Sequence, residues 1–225
     1  MIIGNGLIAN LFKENDRENV VFFASGVSNS LETDKSAFLR EENLIRKTIK
    51  ENPNKIFIYF STCSIYDSSK NGSSYVNHKL KMEQIVEELA NQFLILRVSN
   101  AVGKGGNPNL LMNYLVNAFH QEKEITVHTL ATRNLIDADD VKNITLKFIN
   151  ENSFNKIINV AYLENFSTIQ ILEILEKHFN KTAKTSLVKS GQSYLISIPE
   201  AEAYFAENKL TEKKEYLLRI IKRYY

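Results

Sequence analysis

Short apolar runs alternate with amphipathic stretches along the whole chain. The apolar runs predict buried strands at residues 1–3, 20–24, 56–60, 93–98 and 156–160. Helical spacing of apolar positions predicts helices at 35–51, 75–90, 108–120, 141–149 and 168–179, and a mostly helical tail from about residue 199. Pro53 would end the helix of 35–51, and Ser167 would cap the helix of 168–179. This alternation predicts a parallel α/β sheet covered by helices on both faces.

Small or polar residues follow four of the predicted strands. In chain order they are Gly4 and Gly6, Ser25 and Gly26, Ser61 and Thr62, and Asn100. Ligands of open parallel sheets bind at the carboxyl ends of the strands. The pattern therefore predicts a ligand site at one edge of the sheet.

The first of these strand ends reads Gly4-x-Gly6-x-x-Ala9 and lies between a predicted strand and a predicted helix. Glycines in such a turn allow a pyrophosphate to approach the backbone closely, and the start of the helix attracts it. Many strand-to-helix turns contain glycine without binding phosphate. We interpret the motif as a phosphate site because of its position.

Tyr75 and Lys79 lie one turn apart on the same predicted helix face. A lysine ammonium close to a phenol favours the phenolate, because opposite charges stabilise each other. A hydroxyl from Thr62 would complete a proton-transfer site for an alcohol or a ketone. The alternative is a chance pairing on an exposed helix.

Composition excludes several other classes of protein. The 225 residues are 44% hydrophobic and 24% charged, with a net charge of +2, which is ordinary for a soluble globular protein and too low for a nucleic-acid binder. Cys63 has no partner for an internal disulfide, which suits a reducing cytosol. No stretch approaches the ~20 apolar residues of a membrane span, and the N-terminus lacks the layout of a signal peptide. We therefore expect a cytoplasmic protein without a membrane partner.

Taken together, the ordered motifs resemble those of an extended short-chain dehydrogenase/reductase, in a shortened form of the NAD-dependent nucleotide-sugar epimerase/dehydratase family. The matching segments occur in family order over nearly the whole chain, at residues 4–9, 19–26, 42–43, 60–67, 75–79, 96–103, 133–141 and 158–160. The resemblance implies a Rossmann-like fold and an NAD or NADP cofactor. It also implies a nucleotide-sugar substrate, a reductase or epimerase activity, and a place in the synthesis of surface polysaccharide or glycan precursors.

The resemblance also implies roles for individual residues. Tyr75 would be the general acid/base, Lys79 would favour its phenolate and hold the nicotinamide ribose, and Thr62 would bond the reacting sugar oxygen. The implied cofactor-binding residues are Gly4, Asn5, Gly6, Leu7, Ile8, Ala24, Ser25, Gly26, Tyr75 and Lys79. The implied substrate-binding residues are Ser61, Cys63, Asn100 and Arg133, while Arg133 and Asp137 fall in a segment that closes the substrate lobe.

Each of these residues also has a plainer interpretation. Ser61 and Thr62 could satisfy backbone groups at a strand end, and Asn100 could be a turn residue. We favour packing for Cys63, helix N-capping for Asp139 and Asp140, and no specific role for His78, which stands at a variable position of the motif. His120 and His128 are too isolated to predict a metal site.

The resemblance is incomplete near the N-terminus. Family members usually have five strands before the Ser/Thr segment, whereas only three are predicted here, so two strand–helix units are missing between Phe12 and Asn19. These units carry the residue that grips the adenosine ribose, and no Asp, Glu or Arg replaces it in the sequence. An exposed sheet edge needs protection, so we expect a homo-oligomer or weak cofactor binding.

The sequence thus predicts a Rossmann-like parallel sheet that lacks part of its adenosine-side half. Residues 1–160 would form the core, with 100–140 contributing to the substrate lobe, and residues 161–225 would form a small, mostly helical C-terminal lobe. The alternative function is that of a non-catalytic, nucleotide-binding relative that acts as a sensor or scaffold.

Overall fold

The computed structural model of the protein describes residues 1–105, 108 and 110–225. Its strands are β1 (Ile2–Ile3), β2 (Val20–Phe23), β3 (Ile56–Thr62), β4 (Phe93–Val98), β5 (Asn100–Val102), β6 (Ile125–His128), β7 (Thr132–Arg133), β8 (Leu135–Asp137), β9 (Lys156–Val160), β10 (Phe166–Ser167) and β11 (Thr185–Val188). Its helices are α1 (Leu7–Leu11), α2 (Lys35–Glu51), α3 (Ser74–Leu89), α4 (Leu111–His120), α5 (Ala138–Asn150), α6 (Thr168–Phe179), α7 (Pro199–Glu207) and α8 (Lys213–Tyr224). Short 3-10 turns cover Lys13–Asn15, Cys63–Tyr66 and Ser68–Lys70.

Within the described residues, five parallel strands form the central sheet in the spatial order β1-β2-β3-β4-β9. The sheet confirms the predicted Rossmann-like α/β fold. Three strands precede the Ser/Thr segment, as predicted, and β1 lies at the edge of the sheet because the units that would extend it are missing. The adenosine-side half is therefore short.

The central strands are buried on both faces, which explains their nearly continuous apolar sequences. Alternate residues point to opposite faces. Val21 and Phe23 pack with α2 and α3 on one face, whereas Val20 and Phe22 pack on the other face in a larger core that includes α5, α6 and α8. Phe12, just after α1, stacks on Phe22 with ring centroids 4.4 Å apart.

Polar caps fix several helix ends where the sequence predicts them. Asp34 caps α2 and Ser73 caps α3 through their side chains. Ser167 caps α6 in a capping box with Gln170. Helix α4 begins at Leu111 rather than at 108, and Asn109, within the predicted helix, lies outside the described residues.

Helix α5 corrects one prediction. Its N-cap is Asp137, whose side chain accepts the backbone N–H of Asp139, so Asp139 and Asp140 lie in the first turn instead of capping it. The buried Asp140 carboxylate accepts hydrogen bonds from the hydroxyls of Tyr204 and Tyr216. These contacts attach α7 and α8 to α5.

In the part of the chain that the structure describes, three short strand pairs lie outside the central sheet, and they were not predicted. They are β5–β8, which is parallel, β7–β10, which is antiparallel, and β6–β11, which is parallel. The β7–β10 and β6–β11 pairs, with α6 to α8, connect the region after residue 160 to residues 100–137, whereas β5–β8 lies within residues 100–137. No helix in the described part of the chain is long and apolar enough to cross a membrane.

Candidate active site

A cleft of about 1120 Å³ opens at the carboxyl ends of the central strands. It is lined by every residue that the sequence analysis assigns to the site except Gly4: Asn5, Gly6, Leu7, Ile8, Ala24, Ser25, Gly26, Ser61, Thr62, Cys63, Tyr75, Lys79, Asn100 and Arg133. The structure therefore brings the predicted strand ends together at one place.

Gly4 lies beneath the cleft rather than in its lining. Its φ of +123° is in a region that residues with a side chain rarely adopt, and a Cβ at this position would lie 2.4 Å from the carbonyl oxygen of Ala24. Gly4 thus allows the turn after β1 to pack directly on the end of β2. Its contribution is to the shape of the turn.

Gly6 has the opposite environment. It faces the cleft, and a Cβ added to it would have no atom within 4 Å. The space above this backbone is open, as a site for the close approach of a pyrophosphate requires. Helix α1 is only five residues long and its N-cap has no side-chain hydrogen bond, so such a ligand would depend on the backbone N–H groups of the turn more than on a helix dipole. These residues fit the phosphate half of a dinucleotide.

The proton-transfer candidates come from two adjacent elements. Thr62 ends β3, and Tyr75 and Lys79 lie on successive turns of α3. All three are buried, at 6%, 6% and 2% exposure, and all three line the cleft. Among the described residues, no partner forms a hydrogen bond with the Tyr75 hydroxyl, whereas the Thr62 hydroxyl accepts the backbone N–H of Ser64 at 3.0 Å. The Tyr75 phenol is thus available to a ligand.

Lys79 is held by protein groups on one side. Its Nζ donates to the Phe60 carbonyl at 3.1 Å and to Glu41 Oε1 at 3.2 Å, and it lies 4.6 Å from the centre of the Tyr59 ring. Glu41 and Tyr59 are fully buried. Neither was predicted as part of the site.

Two predicted substrate-binding side chains are committed to other contacts. The Ser61 hydroxyl donates to Glu83 Oε1 at 2.5 Å, and Glu83 is paired with Arg97 of β4. The Cys63 thiol lies 2.9 Å from the Arg97 carbonyl, and burial raises its pKa to about 12. Cys63 therefore packs as an unreactive thiol, and both side chains support the sheet edge instead of pointing freely into the cleft.

Asn100 and Arg133 mark the other end of the cleft. The Asn100 amide donates to the carbonyl of Asn134 at 2.7 Å, which leaves its side-chain oxygen as an acceptor. Arg133 donates from Nη1 to the Thr132 carbonyl at 2.7 Å. Asn100 begins strand β5, so the interpretation as a turn residue is wrong, and its side chain lies in the cleft lining.

Several cleft residues were not identified from the sequence. Arg40 of α2 donates to the carbonyl of Ser25 at 3.3 Å, and Lys70 donates to Ser30 at 3.1 Å. Tyr194 also belongs to the cleft lining. Burial raises the pKa of the Tyr194 phenol. These residues come from regions without a motif, so no local signal in the sequence could place them.

In the described residues, no group of His, Cys, Asp and Glu side chains is arranged to hold a metal ion. Lys70, Lys79, Lys104, Arg40 and Arg133 give the cleft lining a basic character. The arrangement suits a ligand with several phosphates, next to buried groups that can exchange a proton.

Comparison with known proteins identifies the family. Residues 3–161 match the NAD dependent epimerase/dehydratase family. The chain belongs to this family. The matched segment runs from the end of β1 to the residue after β9 and includes every predicted site residue, from Gly4 to Arg133. Tyr194 of the cleft lining lies outside it. A search of curated protein sequences found no match.

Solved structures share the epimerase/dehydratase fold at low sequence identity. UDP-glucuronic acid 4-epimerase from Bacillus cereus, in complex with UDP-glucuronic acid and NAD, is 19% identical with a TM-score of 0.69, over 96% of this chain and 79% of that one. dTDP-glucose 4,6-dehydratase from Bacillus anthracis, in complex with NAD, is 17% identical with a TM-score of 0.66, and the match covers 97% of this chain and 78% of that one. UDP-glucose 4-epimerase from Bifidobacterium longum, in complex with NAD⁺ and UDP, is 15% identical with a TM-score of 0.69, and the match covers 97% of this chain and 82% of that one.

Proposed function

We propose that this chain is an NAD(P)-dependent enzyme that acts on a nucleotide-diphosphate sugar, as a reductase or an epimerase. The single observation that carries the proposal is that Thr62, Tyr75 and Lys79 reach one cleft beside the open backbone of Gly6. Its family membership supports the same kind of chemistry. We place the reaction in the cytoplasm, in the synthesis of surface polysaccharide or glycan precursors.

The cofactor would lie along the ends of β1 to β3. The turn at Asn5–Ile8 would hold the pyrophosphate, Ala24 to Gly26 would flank the adjoining ribose, and Lys79 would bond the nicotinamide ribose. The nicotinamide, when bound, supplies or accepts the hydride. No acidic residue of the described lining lies near Ser25, and Arg40 is the charged residue there, which leaves both NAD and NADP as candidates.

The protein's own residues would move the proton and align the sugar. Tyr75 would donate a proton to the sugar carbonyl oxygen during reduction, or remove it from the hydroxyl during oxidation. Thr62 would donate a hydrogen bond to the same oxygen while its own oxygen accepts the Ser64 N–H.

The opposite end of the cleft would receive the nucleotide diphosphate. Asn100, Lys104 and Arg133 line it and offer an amide and two cations to a diphosphate. We propose that residues 161–225, with 100–140, form the lobe that binds this part of the substrate. The sugar would then lie between the diphosphate and Tyr75.

The open edge at β1 leads us to propose a homo-oligomer in which a second copy covers the adenosine end, or else weak cofactor binding. Light scattering coupled to size-exclusion chromatography, with and without NAD, tests this. A monomer that binds one NAD or NADP tightly would contradict the proposal.

A non-catalytic sensor or scaffold is the second candidate. One observation favours it, namely that the sheet ends at β1 and lacks the strands that would wall the adenosine. Such a protein would be stabilised thermally by NAD, NADP, UDP or GDP and would carry out no hydride transfer.

The experiment is a turnover assay with a panel of UDP-, GDP- and dTDP-sugars, followed by nicotinamide absorbance and by mass spectrometry of the sugar. We expect turnover in the natural chain. Tyr75→Phe should abolish turnover and leave NAD binding nearly unchanged, because it removes only the hydroxyl. The matched control is Tyr204→Phe, whose hydroxyl donates to Asp140 outside the cleft. Full turnover by Tyr75→Phe would remove Tyr75 from the proposed role.

A further inference from the structure

Glu41 is a fully buried carboxylate at 0% exposure, and its hydrogen-bonding capacity is filled. Oε1 accepts the Tyr59 hydroxyl at 2.7 Å and Lys79 Nζ at 3.2 Å. Oε2 accepts the Val27 backbone N–H at 2.6 Å and lies 3.0 Å from His78 Nε2. A carboxylate offers about four acceptor positions, so Glu41 has no capacity left for a ligand. Its influence on the cleft must pass through the groups it holds.

The negative charge of Glu41 is neutralised by the positive charge of Lys79, 3.2 Å away. Burial alone would raise the pKa of Glu41, but the Lys79 ammonium and the hydrogen bonds from His78, Val27 and Tyr59 outweigh burial and hold this pKa well below its usual range. Glu41 is therefore ionised at neutral pH and forms a buried ion pair with Lys79. Buried ion pairs contribute little net stability compared with apolar packing, so stability alone is a weak reason for this arrangement.

The ion pair sets the direction of Lys79. A lysine ammonium has three N–H donors. Within the described residues, Glu41 Oε1 and the Phe60 carbonyl receive two of them. Lys79 also lines the cleft, so the third donor is the one left for a ligand there.

Gly26 connects this pair to the cofactor end of the cleft. A Cβ at Gly26 would lie 2.7 Å from Glu41 Oε1 and 2.8 Å from Lys79 Nζ. The chain after β2 therefore passes directly over the ion pair, and the adjacent Val27 N–H bonds to the same carboxylate. Glu41 thus fixes both the loop that flanks the cofactor and the ammonium that would bond it.

We propose that Glu41 is a positioning residue for Lys79. It aims the one remaining N–H of the ammonium at a hydroxyl of the dinucleotide's nicotinamide ribose. This inference rests on the proposed function, because it deepens the role of Lys79 in cofactor binding. His78, which stacks on Phe38 with ring centroids 4.5 Å apart and bonds to Glu41, belongs to the same support.

The test is a double-mutant cycle on NAD and NADP affinity, measured by calorimetry on the full chain. We expect Glu41→Gln to weaken dinucleotide binding about tenfold, the effect of one charge-assisted hydrogen bond. In a Lys79→Met background, Glu41→Gln should cause a clearly smaller loss, because only its contact with the loop at Val27 then remains. Equal losses in both backgrounds would mean that Glu41 merely supports the fold, and would overturn the proposal.

A second variant covers the case in which Lys79→Met or Glu41→Gln fails to fold. Tyr59→Phe keeps the ring over Lys79 and removes only the hydroxyl that bonds Glu41 Oε1. Tyr59 does not belong to the cleft lining, so weaker dinucleotide binding, by about threefold, would support the proposal. Unchanged binding by a folded Tyr59→Phe protein would contradict it.

The matched control is Asp140→Asn, which breaks a buried carboxylate–arginine pair with Arg219 outside the cleft. It should lower thermal stability and leave dinucleotide affinity unchanged. Two failures can be told apart. If the natural chain binds neither NAD nor NADP, the proposed function fails and this inference with it. If the natural chain binds and a folded Glu41→Gln protein binds equally well, only the role of Glu41 is wrong.

Discussion

The two halves of the cleft differ in how completely they are built. On the side of β3 and α3, Thr62, Tyr75 and Lys79 are present and buried, and Glu41 supports Lys79. On the side of β1, the sheet stops at an edge strand of two residues, and a glycine turn faces open space. The difference shows that this chain has the residues proposed for proton transfer but a short sheet where the adenosine would bind. Chemistry and cofactor affinity should therefore respond differently to substitutions in the two halves.

Of the substitutions that follow, the largest effect on turnover is expected at Thr62, on the β3 and α3 side of the cleft. Thr62→Val removes the hydroxyl but keeps the shape of the side chain, so kcat should fall about 100-fold while dinucleotide affinity changes little. Steady-state kinetics and calorimetry check the two quantities separately. Thr62→Ser restores the hydroxyl and should recover most of the activity, whereas an inactive Thr62→Ser protein would argue against this role.

Substitutions of the two glycines in the turn after β1 should have different effects, one on stability and the other on dinucleotide affinity. Gly4→Ala should lower the free energy of unfolding by about 3 kcal/mol, because φ is positive and the new Cβ would strike the Ala24 carbonyl. Gly6→Ala meets no atom within 4 Å and has a φ of −80°, so stability should change by less than about 1 kcal/mol. Dinucleotide affinity should nevertheless fall about tenfold in Gly6→Ala, because the methyl group would occupy the place of the pyrophosphate.

Urea unfolding and calorimetry on the same two proteins decide between these outcomes. If Gly6→Ala binds NAD and NADP as well as the natural chain does, the turn is not the phosphate site.

Acid should weaken the Glu41 contacts. Because the folded-state pKa of Glu41 lies below its ordinary value of 4.5, its contribution to stability is fully present above 4.5. The contribution is lost as the pH falls below that value towards the folded-state pKa. The free energy of unfolding of the natural chain should therefore decline on acidification, and Glu41→Gln should show a shallower decline.

The matched control for this titration is Glu42→Gln on the same helix. Glu42 is partly exposed and bonds Lys81 and Arg46 at the surface, where ion pairs contribute little. A Glu41→Gln protein as acid-sensitive as the natural chain would show that Glu41 is not the group responsible.

The smallest effect is expected at Arg40, an exposed cation at the adenosine end that donates to the Ser25 carbonyl. Arg40→Ala should weaken dinucleotide binding by about threefold, because the charge is screened by solvent. The loss should be greater for NADP, whose additional phosphate an arginine can accommodate. Equal affinities before and after the change would remove Arg40 from the site.

Much of the core was predictable because local patterns dictate it. The bounds of α2 agree with the predicted 35–51, and α6 begins after Ser167 as its capping box indicates. The absence of two strand–helix units between Phe12 and Asn19 correctly predicted that the central sheet is short. Continuous apolar runs and capping residues carry this information within a few neighbouring positions.

The features that were missed depend on residues far apart in the chain. Strands β6 and β11 are four residues each and pair across about 60 positions, so neither has a strong pattern of its own. Glu41 was assigned no role from the sequence, and His78 was interpreted as a variable position of the motif. Their burial follows from Tyr59, Lys79 and Val27, which come from three other segments, and such contacts leave no local signal.

The most direct test of the central claim is a crystal structure of the full chain with NAD or NADP bound. The account predicts the nicotinamide ring beside Thr62 and Tyr75, with a ribose hydroxyl accepting a hydrogen bond from Lys79 Nζ. A dinucleotide bound with its nicotinamide remote from these three side chains would contradict it.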